Sequence, residues 1–312
     1  MRRQWILKAG LALALVSSAT MASAAQRVSI GTGGTGGLFY VIGAAMAQII
    51  NNHVPGTTAR AEVTGASVEN IRRVSAGQEQ LGFSSSSTLF EASKGIGAFK
   101  SPQPVAAVAY LYPAVLQIAV FADGPIKTMD DLKNATINLG PPGSNSAVLA
   151  ERLLKAYGVF DRGHSRFLSY SEGTQAMING TVQATVVLAG APTSALIDLD
   201  SQHQIRLLSV EKDRVQKLLK DYPFYQLHEI PAGTYKGFDK AATVINDPAI
   251  LFTGTKVDPK LVYEMTKAIF SNLPELHAVH PQAKNILLKT ATNTPIPLDK
   301  GAERFFDQAK AK

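Results

Sequence analysis

Residues 31–37 read Gly-Thr-Gly-Gly-Thr-Gly-Gly, and this run constrains the fold more than any other stretch of the chain. The apolar segment Val28–Ile30 precedes it, and residues 38–50 follow with apolar side chains at helical spacing. The pattern predicts a strand, a glycine turn and a helix that starts directly after the turn. Glycine lets backbone N–H groups approach a ligand, and a helix N-terminus favours negative charge. The run therefore predicts an anion-binding turn in an α/β protein.

The same arrangement returns in the second half of the chain. Residues 140–146, Gly-Pro-Pro-Gly-Ser-Asn-Ser, follow an apolar segment and precede a second helical pattern. Residues 76–83 and 179–186 also match each other as a helix end that leads into a strand, and small residues follow both. Two similar βαβαβ units predict two facing lobes, with a ligand at the carboxyl ends of their strands.

Two long apolar runs predict where the chain crosses between the lobes. Residues 105–121, interrupted by Pro113, are too long for one strand, so we interpret them as the end of one lobe and the start of the next. Residues 242–252 are expected to return the chain to the first lobe. The expected division is residues 25–115 with 243–312 in lobe 1, and residues 116–242 in lobe 2.

Two side-chain pairs indicate helix starts. Asp258 followed by Pro259 combines a capping residue with the proline preferred in the first turn of a helix. Thr128 with Asp131 has the spacing of a capping box.

The first 24 residues predict export. Three basic residues within the first eight positions precede an apolar stretch at residues 9–16, and Ala22-Ser23-Ala24 is typical of a signal-peptide cleavage site. We expect this segment to be removed and the mature protein to be periplasmic, with a retained membrane anchor as the alternative. The arginine pair near the start leaves open whether the general or the twin-arginine route is used.

Composition excludes several function classes. The 312 residues contain no cysteine, which excludes disulfides, thiolate catalysis and cysteine-based zinc sites. An apolar fraction of 46% with 18% charged residues is typical of a folded globular protein. The formal net charge is +7, but the basic residues are scattered, so we expect no nucleic-acid partner.

Gly31, Gly33 and Gly36 also fit the Gly-x-Gly-x-x-Gly pattern of dinucleotide-binding enzymes. That pattern requires an acidic residue about 20 positions later at the end of the second strand. Glu62 lies further along and within the predicted strand, so the fit is poor. We expect no cofactor.

Two other patterns bear on a metal site and on a serine nucleophile. His277 and His280 have the spacing of a metal-binding pair, but no carboxylate accompanies them, and solvated histidines at a helix end are the simpler interpretation. The serines at 84–87 lack both the nucleophile-elbow and the Ser-x-x-Lys patterns, so they indicate a hydroxyl-lined pocket. We expect no metal site, no catalytic residue and no enzymatic activity.

Several motifs in the same order resemble the TAXI family (TRAP-associated extracytoplasmic immunogenic proteins) of substrate-binding proteins. They are Ile30–Tyr40, Gly65–Asn70, Pro142–Ser146, Ile230–Tyr235 and Thr294–Pro297, and together they span nearly all of the chain after residue 24. The resemblance implies a type II periplasmic-binding-protein fold, in which two α/β lobes joined by two crossover strands close on a solute. It also implies a TRAP transporter as the membrane partner and a carboxylate-bearing solute such as glutamate.

The chain departs from that family at one place. Family members often carry Gln-Ser-Asp or similar after the third strand, whereas this chain has serine at positions 84–87. The identity of the solute is therefore not carried over, and a smaller or differently charged solute stays open.

The turns of both lobes are expected to line the cleft. The expected ligand-binding residues are Gly34, Thr35, Gly36, Gly37, Tyr40, Gly65, Ala66, Ser67, Asn70, Ser84, Ser85, Gly143, Ser144, Asn145, Ser146, Ala189 and Gly190. Tyr40 fits a core position equally well, and Asn70 fits a plain surface position. The expected function is a monomeric transport receptor that delivers a carboxylate solute to TRAP permease subunits. A binding protein that serves a sensor kinase and a dinucleotide-dependent enzyme are the alternatives.

Overall fold

The structure is a computed structural model that describes residues 26–311, so the expected signal peptide lies outside the described residues. The strands are β1 (Gln26–Gly31), β2 (Thr57–Glu62), β3 (Leu81–Ser85), β4 (Val105–Tyr112), β5 (Val115–Phe121), β6 (Ile137–Asn138), β7 (Ser165–Arg166), β8 (Ala184–Ala189), β9 (Ile205–Leu207), β10 (Gln226–Ile230), β11 (Ala242–Asn246) and β12 (Ala249–Gly254). The α-helices are α1 (Leu38–His53), α2 (Ser67–Ser75), α3 (Ser86–Lys94), α4 (Asn145–Tyr157), α5 (Tyr170–Ile178), α6 (Ser194–Gln202), α7 (Lys212–Asp221), α8 (Pro259–Ser271), α9 (Leu273–His277) and α10 (Lys300–Lys310).

These elements form two α/β lobes, each built on one sheet. The sheet of lobe 1 has the strand order β2-β1-β3-β12-β4, and the sheet of lobe 2 has the order β10-β11-β5-β8-β6-β7, with β9 paired to β5. This is the two-lobe α/β architecture expected from the repeated glycine turns. None of the helices within residues 26–311 is long and apolar enough to cross a membrane.

The internal repeat predicted from the sequence is present in the sheets. In lobe 1, β1 lies parallel between β2 and β3, and in lobe 2, β6 lies parallel between β7 and β8. In lobe 1, β3 also pairs antiparallel with β12, and in lobe 2, β8 pairs antiparallel with β5. Both β12 and β5 directly follow a crossing of the chain from the other lobe. All six parallel strands therefore direct their carboxyl ends towards the space between the lobes.

Helix α1 shows why the glycine run is followed by a helix that packs on the sheet. Its buried side chains recur at helical spacing, with Leu38, Ile42, Met46 and Ile50 each at most 3% exposed. Burying a side chain of this kind stabilises the fold by about 1.5–3 kcal/mol. This stripe fixes the start of α1 at the carboxyl end of β1.

The two crossings between the sheets are short. Residues 113–114 separate β4 from β5, and residues 247–248 separate β11 from β12. The run at residues 105–121 is thus two strands in different lobes, as predicted. The run at residues 242–252 is also two strands, because β11 still belongs to lobe 2. The expected boundaries at residues 115 and 243 stay predictions that lie within a few residues of these crossings.

One helix start was predicted wrongly and one correctly. Thr128 and Asp131 do not begin an α-helix, because the Asp131 carboxylate accepts the Lys127 and Thr128 N–H groups and only a 3-10 turn at Asp130–Leu132 follows. Asp258 does cap α8, where its side chain accepts the Lys260 N–H at 2.9 Å.

Candidate functional site

A cavity lies between the lobes at the carboxyl ends of the parallel strands. It is lined by Gly33, Gly34, Gly37, Leu38, Phe39, Ala66, Ser67 and Ser85 of lobe 1, and by Pro141, Ser144, Asn145, Ser146, Tyr170, Leu188 and Ala189 of lobe 2. The space open to the centres of water-sized molecules is about 30 Å³, so the cavity is small. None of its fifteen lining residues carries an ionisable acidic or basic side chain.

Helix N-termini surround this cavity. Helices α1, α2 and α4 begin at Leu38, Ser67 and Asn145, and all three residues line it. The first N–H groups of a helix have no intrahelical acceptor, and they carry the positive end of the helix dipole. Two further helices begin there, α5 at Tyr170 and α3 just after Ser85. The cavity is therefore electropositive without any cationic side chain.

Left-handed backbone geometry does not explain why residues 31–37 contain so many glycines. Within residues 31–37 no glycine has a positive φ, so conformation does not require glycine there. Close approach does require it at Gly36, where a Cβ would lie 2.5 Å from Ser171 Oγ and 3.3 Å from the Ala195 Cβ. At Gly37 a Cβ would lie 3.3 Å from the Tyr170 ring. The glycines thus let lobe 2 approach the start of α1.

Backbone hydrogen bonds join the lobes across the mouth of the cavity. The N–H groups of Val68 and Glu69 in α2 donate to the Gly143 carbonyl of lobe 2, at 3.0 and 3.4 Å. On the other side, the Ala195 N–H donates to the Gly36 carbonyl at 3.4 Å. The structure is therefore a closed form in which the two lobes touch directly.

Buried Asp247 lies at the crossing between β11 and β12 and contacts both lobes. Its carboxylate accepts the Ser87 N–H at 3.0 Å, the Ser87 hydroxyl at 2.5 Å and the Asn145 Nδ2 at 2.6 Å. Burial raises the pKa of Asp247 from 3.8 to about 6, although these hydrogen bonds and Arg152 oppose the shift. Asp247 thus caps the N-terminus of α3 through its hydrogen bonds with Ser87.

An ion pair next to this carboxylate also bridges the lobes. Arg152 of lobe 2 contacts Glu91 of lobe 1 at 2.6 Å, and it donates to the Tyr225 hydroxyl at 2.7 Å. The guanidinium lies 4.0 Å from the centre of the Tyr222 ring. Because both charged side chains are largely buried, separating the lobes here exposes two charges that are paired in the closed form.

Nine of the seventeen expected residues lie on the wall of the cavity. They are Gly34, Gly37, Ala66, Ser67, Ser85, Ser144, Asn145, Ser146 and Ala189. Thr35, Gly36, Tyr40, Gly65, Asn70, Ser84, Gly143 and Gly190 lie outside that wall. Their assignment as ligand-binding residues stays a prediction, and the positions of several of them explain what they do in the closed form.

Asn70 holds the turns at the strand ends of lobe 1 in place through hydrogen bonds. Its Nδ2 donates to the carbonyls of Thr32 and Phe83 at 2.7 and 2.8 Å, and its Oδ1 accepts the Thr64 hydroxyl at 2.6 Å. It is fully buried, so it does not occupy a surface position, and it is not one of the residues that line the cavity. It ties together the ends of β1, β2 and β3.

Gly65 and Ala66 hold the start of α2 against lobe 2. A Cβ at Gly65 would overlap the Pro142 carbonyl oxygen, so only glycine permits this contact. Ala66 has φ 71° and ψ −144°, a region that costs a residue with a side chain about 1–3 kcal/mol. Such strain tends to occur at ligand-binding positions, and Ala66 lines the cavity.

Sequence reasoning missed six lining residues, namely Gly33, Leu38, Phe39, Pro141, Tyr170 and Leu188. The sequence contains a helix-start signal that locates Tyr170. Ser169 and Glu172 form a capping box directly after β7, which places the start of α5 at a strand end that faces the cavity. The Tyr170 hydroxyl donates to the Leu188 carbonyl at 3.0 Å and accepts its N–H at 3.1 Å.

His277 and His280 form hydrogen bonds with nearby backbone groups. His277 contacts the Ile286 carbonyl at 2.9 Å, and His280 Nδ1 accepts the Gln282 N–H at 3.1 Å. Within residues 26–311 no group of three or more His, Asp or Glu side chains is arranged to hold a metal ion.

Comparison with known proteins identifies the family. A model of the NMT1-like family matches residues 30–309. The chain belongs to the NMT1-like family. This match covers almost all of the described residues, and it includes every element that surrounds the cavity.

Solved structures show the same fold. A protein described as a periplasmic transporter is 13% identical, with a TM-score of 0.56 over 93% of this chain and 94% of that one. The binding-protein component of an ABC phosphonate transporter from Pseudomonas aeruginosa is 11% identical, with a TM-score of 0.51 over 84% and 80%. The alkanesulfonate-binding protein SsuA from Xanthomonas axonopodis pv. citri, bound to MOPS, is 16% identical, with a TM-score of 0.50 over 90% and 83%. This NMT1-like chain thus has the two-lobe fold of periplasmic binding proteins.

Proposed function

We propose that this protein is an extracytoplasmic solute-binding receptor that clamps a small carboxylate-bearing solute between its lobes. The observation that carries the proposal is the cavity itself, which both lobes line with helix N-termini and hydroxyl groups. Helix N-termini bind anions through free N–H groups and the dipole. The predicted signal peptide supports a periplasmic location.

Binding and closure are coupled in this proposal. A solute in the cavity contacts both lobes only when they are closed, so it binds the closed state more tightly than the open state. The solute then shifts the population towards the closed form, whose outer surface a membrane partner recognises. No covalent step is required, and the cavity wall carries no acidic or basic side chain to activate its serines.

The membrane partner is proposed to be a TRAP-type permease that uses an ion gradient. The resemblance of five motifs to the TAXI family supports this, because that resemblance implies a TRAP transporter as the membrane partner. An ABC-type permease is the second candidate, since some structural neighbours are described as components of ABC transporters. Uptake by membrane vesicles separates the two, because a TRAP system responds to dissipation of the ion gradient and an ABC system to removal of ATP.

A thermal-shift screen of the purified mature protein tests the proposed ligand class. The panel contains carboxylic acids, neutral solutes of similar size and cationic amines. We expect at least one carboxylate to raise the melting temperature, since a ligand that binds only the folded state stabilises it by mass action. The proposal fails when neutral or cationic solutes raise the melting temperature and no carboxylate does.

A further inference from the structure

The donors that face the cavity are sufficient for one carboxylate. Six N–H groups at helix starts belong to lining residues and have no hydrogen-bond acceptor within residues 26–311; they are those of Leu38, Phe39, Ser67, Asn145, Ser146 and Tyr170. A carboxylate has about four acceptor positions on its two oxygens. These N–H groups are therefore sufficient for a carboxylate without any cationic side chain.

Among the lining hydroxyl groups, Ser85 differs from its neighbours. Ser144 donates its hydroxyl to the Pro141 carbonyl at 2.7 Å, and Ser146 donates to the Leu139 carbonyl at 2.9 Å. The Ser85 hydroxyl only accepts a long 3.5 Å contact from Ser67, and its own hydrogen has no acceptor in the described part of the chain. Ser85 is therefore available to donate a charge-assisted hydrogen bond to an anion.

The cavity has no partner for a positive charge. Its wall has no acidic side chain to pair with an ammonium group. The nearest buried charges are already used, since Asp247 is bound to Ser87 and Asn145, and Arg152 is paired with Glu91. Burying a charge without a partner is costly, so an amino acid loses affinity here because of its ammonium group.

The rest of the wall is apolar and leaves little space. Leu38, Phe39, Tyr170 and Leu188 contribute hydrophobic surface, and the Tyr170 hydroxyl is bound to the Leu188 backbone, so its ring faces the cavity. The free space of about 30 Å³ corresponds to roughly two or three water-sized groups. Covalently bonded atoms pack more closely than waters, so this space holds at most a carboxylate with a short hydrocarbon chain and leaves no room for a second carboxylate.

We infer that the solute is a short-chain monocarboxylate with an apolar tail, and that amino acids such as glutamate and dicarboxylates are excluded. This inference rests on the proposed function and narrows its ligand class. The carboxylate binds at the starts of α1, α2 and α4 with Ser85, and the tail packs between Phe39, Tyr170 and Leu188.

Isothermal calorimetry with four matched probes tests the inference on the purified mature protein. Propionate carries the single charge, propionamide replaces it with a neutral group, alanine adds an ammonium and succinate adds a second carboxylate. We expect propionate to bind and the other three to bind at least tenfold more weakly. Binding of succinate or alanine that is tighter than that of propionate, or within tenfold of it, overturns the inference and leaves the carboxylate receptor intact. Binding of propionamide without any carboxylate overturns both.

A pair of serine variants tests the role of Ser85. Ser85→Ala removes the free hydroxyl, and we expect propionate affinity to fall about 10- to 100-fold. Ser93→Ala is the control, because Ser93 lies in α3, which directly follows Ser85, donates to the Phe90 carbonyl and is not one of the residues that line the cavity. Equal affinities of the two variants, at equal melting temperatures, contradict the assigned role of Ser85.

Discussion

At the scale of single residues, two glycines of the opening run serve different purposes. A Cβ at Gly31 would overlap the Glu79 carboxylate and lie 2.8 Å from the Asn70 Oδ1. A Cβ at Gly34 would meet only the Ser169 Cβ, at an ordinary distance of 3.9 Å. Gly31 is thus required by packing inside lobe 1, whereas Gly34 is a lining residue with space beside it.

We expect Gly31→Ala to destabilise the protein by about 1–3 kcal/mol, because overpacking forces buried groups apart. Gly34→Ala is the matched control in the same turn, and we expect its free energy of unfolding to stay within about 0.5 kcal/mol of the parent. Chemical denaturation of both variants measures the difference. Equal stabilities would show that Glu79 and Asn70 move aside without cost.

At the scale of elements, the start of α5 holds Tyr170 in the cavity wall. Ser169 accepts the Glu172 N–H at 3.3 Å, and the Glu172 carboxylate accepts the Ser169 N–H at 2.9 Å. Hydrogen bonds to Ser169 lower the pKa of Glu172. The capping box therefore positions an aromatic residue that sequence analysis did not assign to the site.

We expect Ser169→Ala to cost about 1 kcal/mol of stability through loss of the N-terminal cap. Ser171→Ala is the control, since Ser171 is an exposed serine in the first turn of the same helix. Thermal unfolding of the two variants compares them directly. An unchanged melting temperature of Ser169→Ala would show that the cap does not stabilise α5.

Periodic elements and repeated turns were predictable from sequence, because their signals are local. The apolar stripe of α1 and the repeat at residues 140–146 predicted the two lobes. They also predicted that the lobes face each other at the carboxyl ends of their strands. Long-range pairings were not predictable, since nothing local shows that Asn70 binds the ends of three strands. The same applies to Asp247, which contacts residues 160 and 102 positions away.

The departure of the chain from the TAXI pattern at residues 84–87 illustrates the same limit. Sequence reasoning read these serines as a pocket lining, but only Ser85 lies on the cavity wall. Ser87 instead binds Asp247, and the Ser84 hydroxyl donates to the Ser85 carbonyl at 3.0 Å. Which serine faces the ligand depends on where β3 ends and α3 begins, and four identical residues do not reveal that point.

At the scale of the whole molecule, the protonation of Asp247 makes the stability of the two-lobe structure depend on pH. Its pKa is raised by burial, so the folded protein holds this proton more tightly than the unfolded chain does. The resulting stability is fully present below about pH 4 and is lost as pH rises through about 6. Ser87, Asn145, Tyr225 and Arg152 are the groups that surround the carboxyl.

We expect Asp247→Asn to reduce this pH dependence. Between pH 4 and pH 7 the parent should lose about 1–3 kcal/mol relative to the variant, because the amide does not titrate. Burial also raises the pKa of Glu79, to about 7, but that carboxyl is present in both proteins and cancels in the comparison. Denaturation at a series of pH values measures the difference, and a constant difference across the range would contradict the assignment.

Closure of the two lobes on a carboxylate is the central claim, and a distance measurement between them tests it most directly. The chain has no cysteine, so cysteines at the exposed positions Gln48 in α1 and Gln202 in α6 allow one spin label on each lobe. The Gly65→Ala variant is the control for closure, because its methyl group would overlap the Pro142 carbonyl oxygen only when the lobes meet.

Pulsed electron paramagnetic resonance then compares the doubly labelled protein with and without the carboxylate that gives the largest thermal shift. We predict a broad distribution of distances without ligand and a narrow distribution at the distance of the closed form with it. Gly65→Ala should stay broad under the same conditions. An identical distribution with and without saturating ligand would contradict the account.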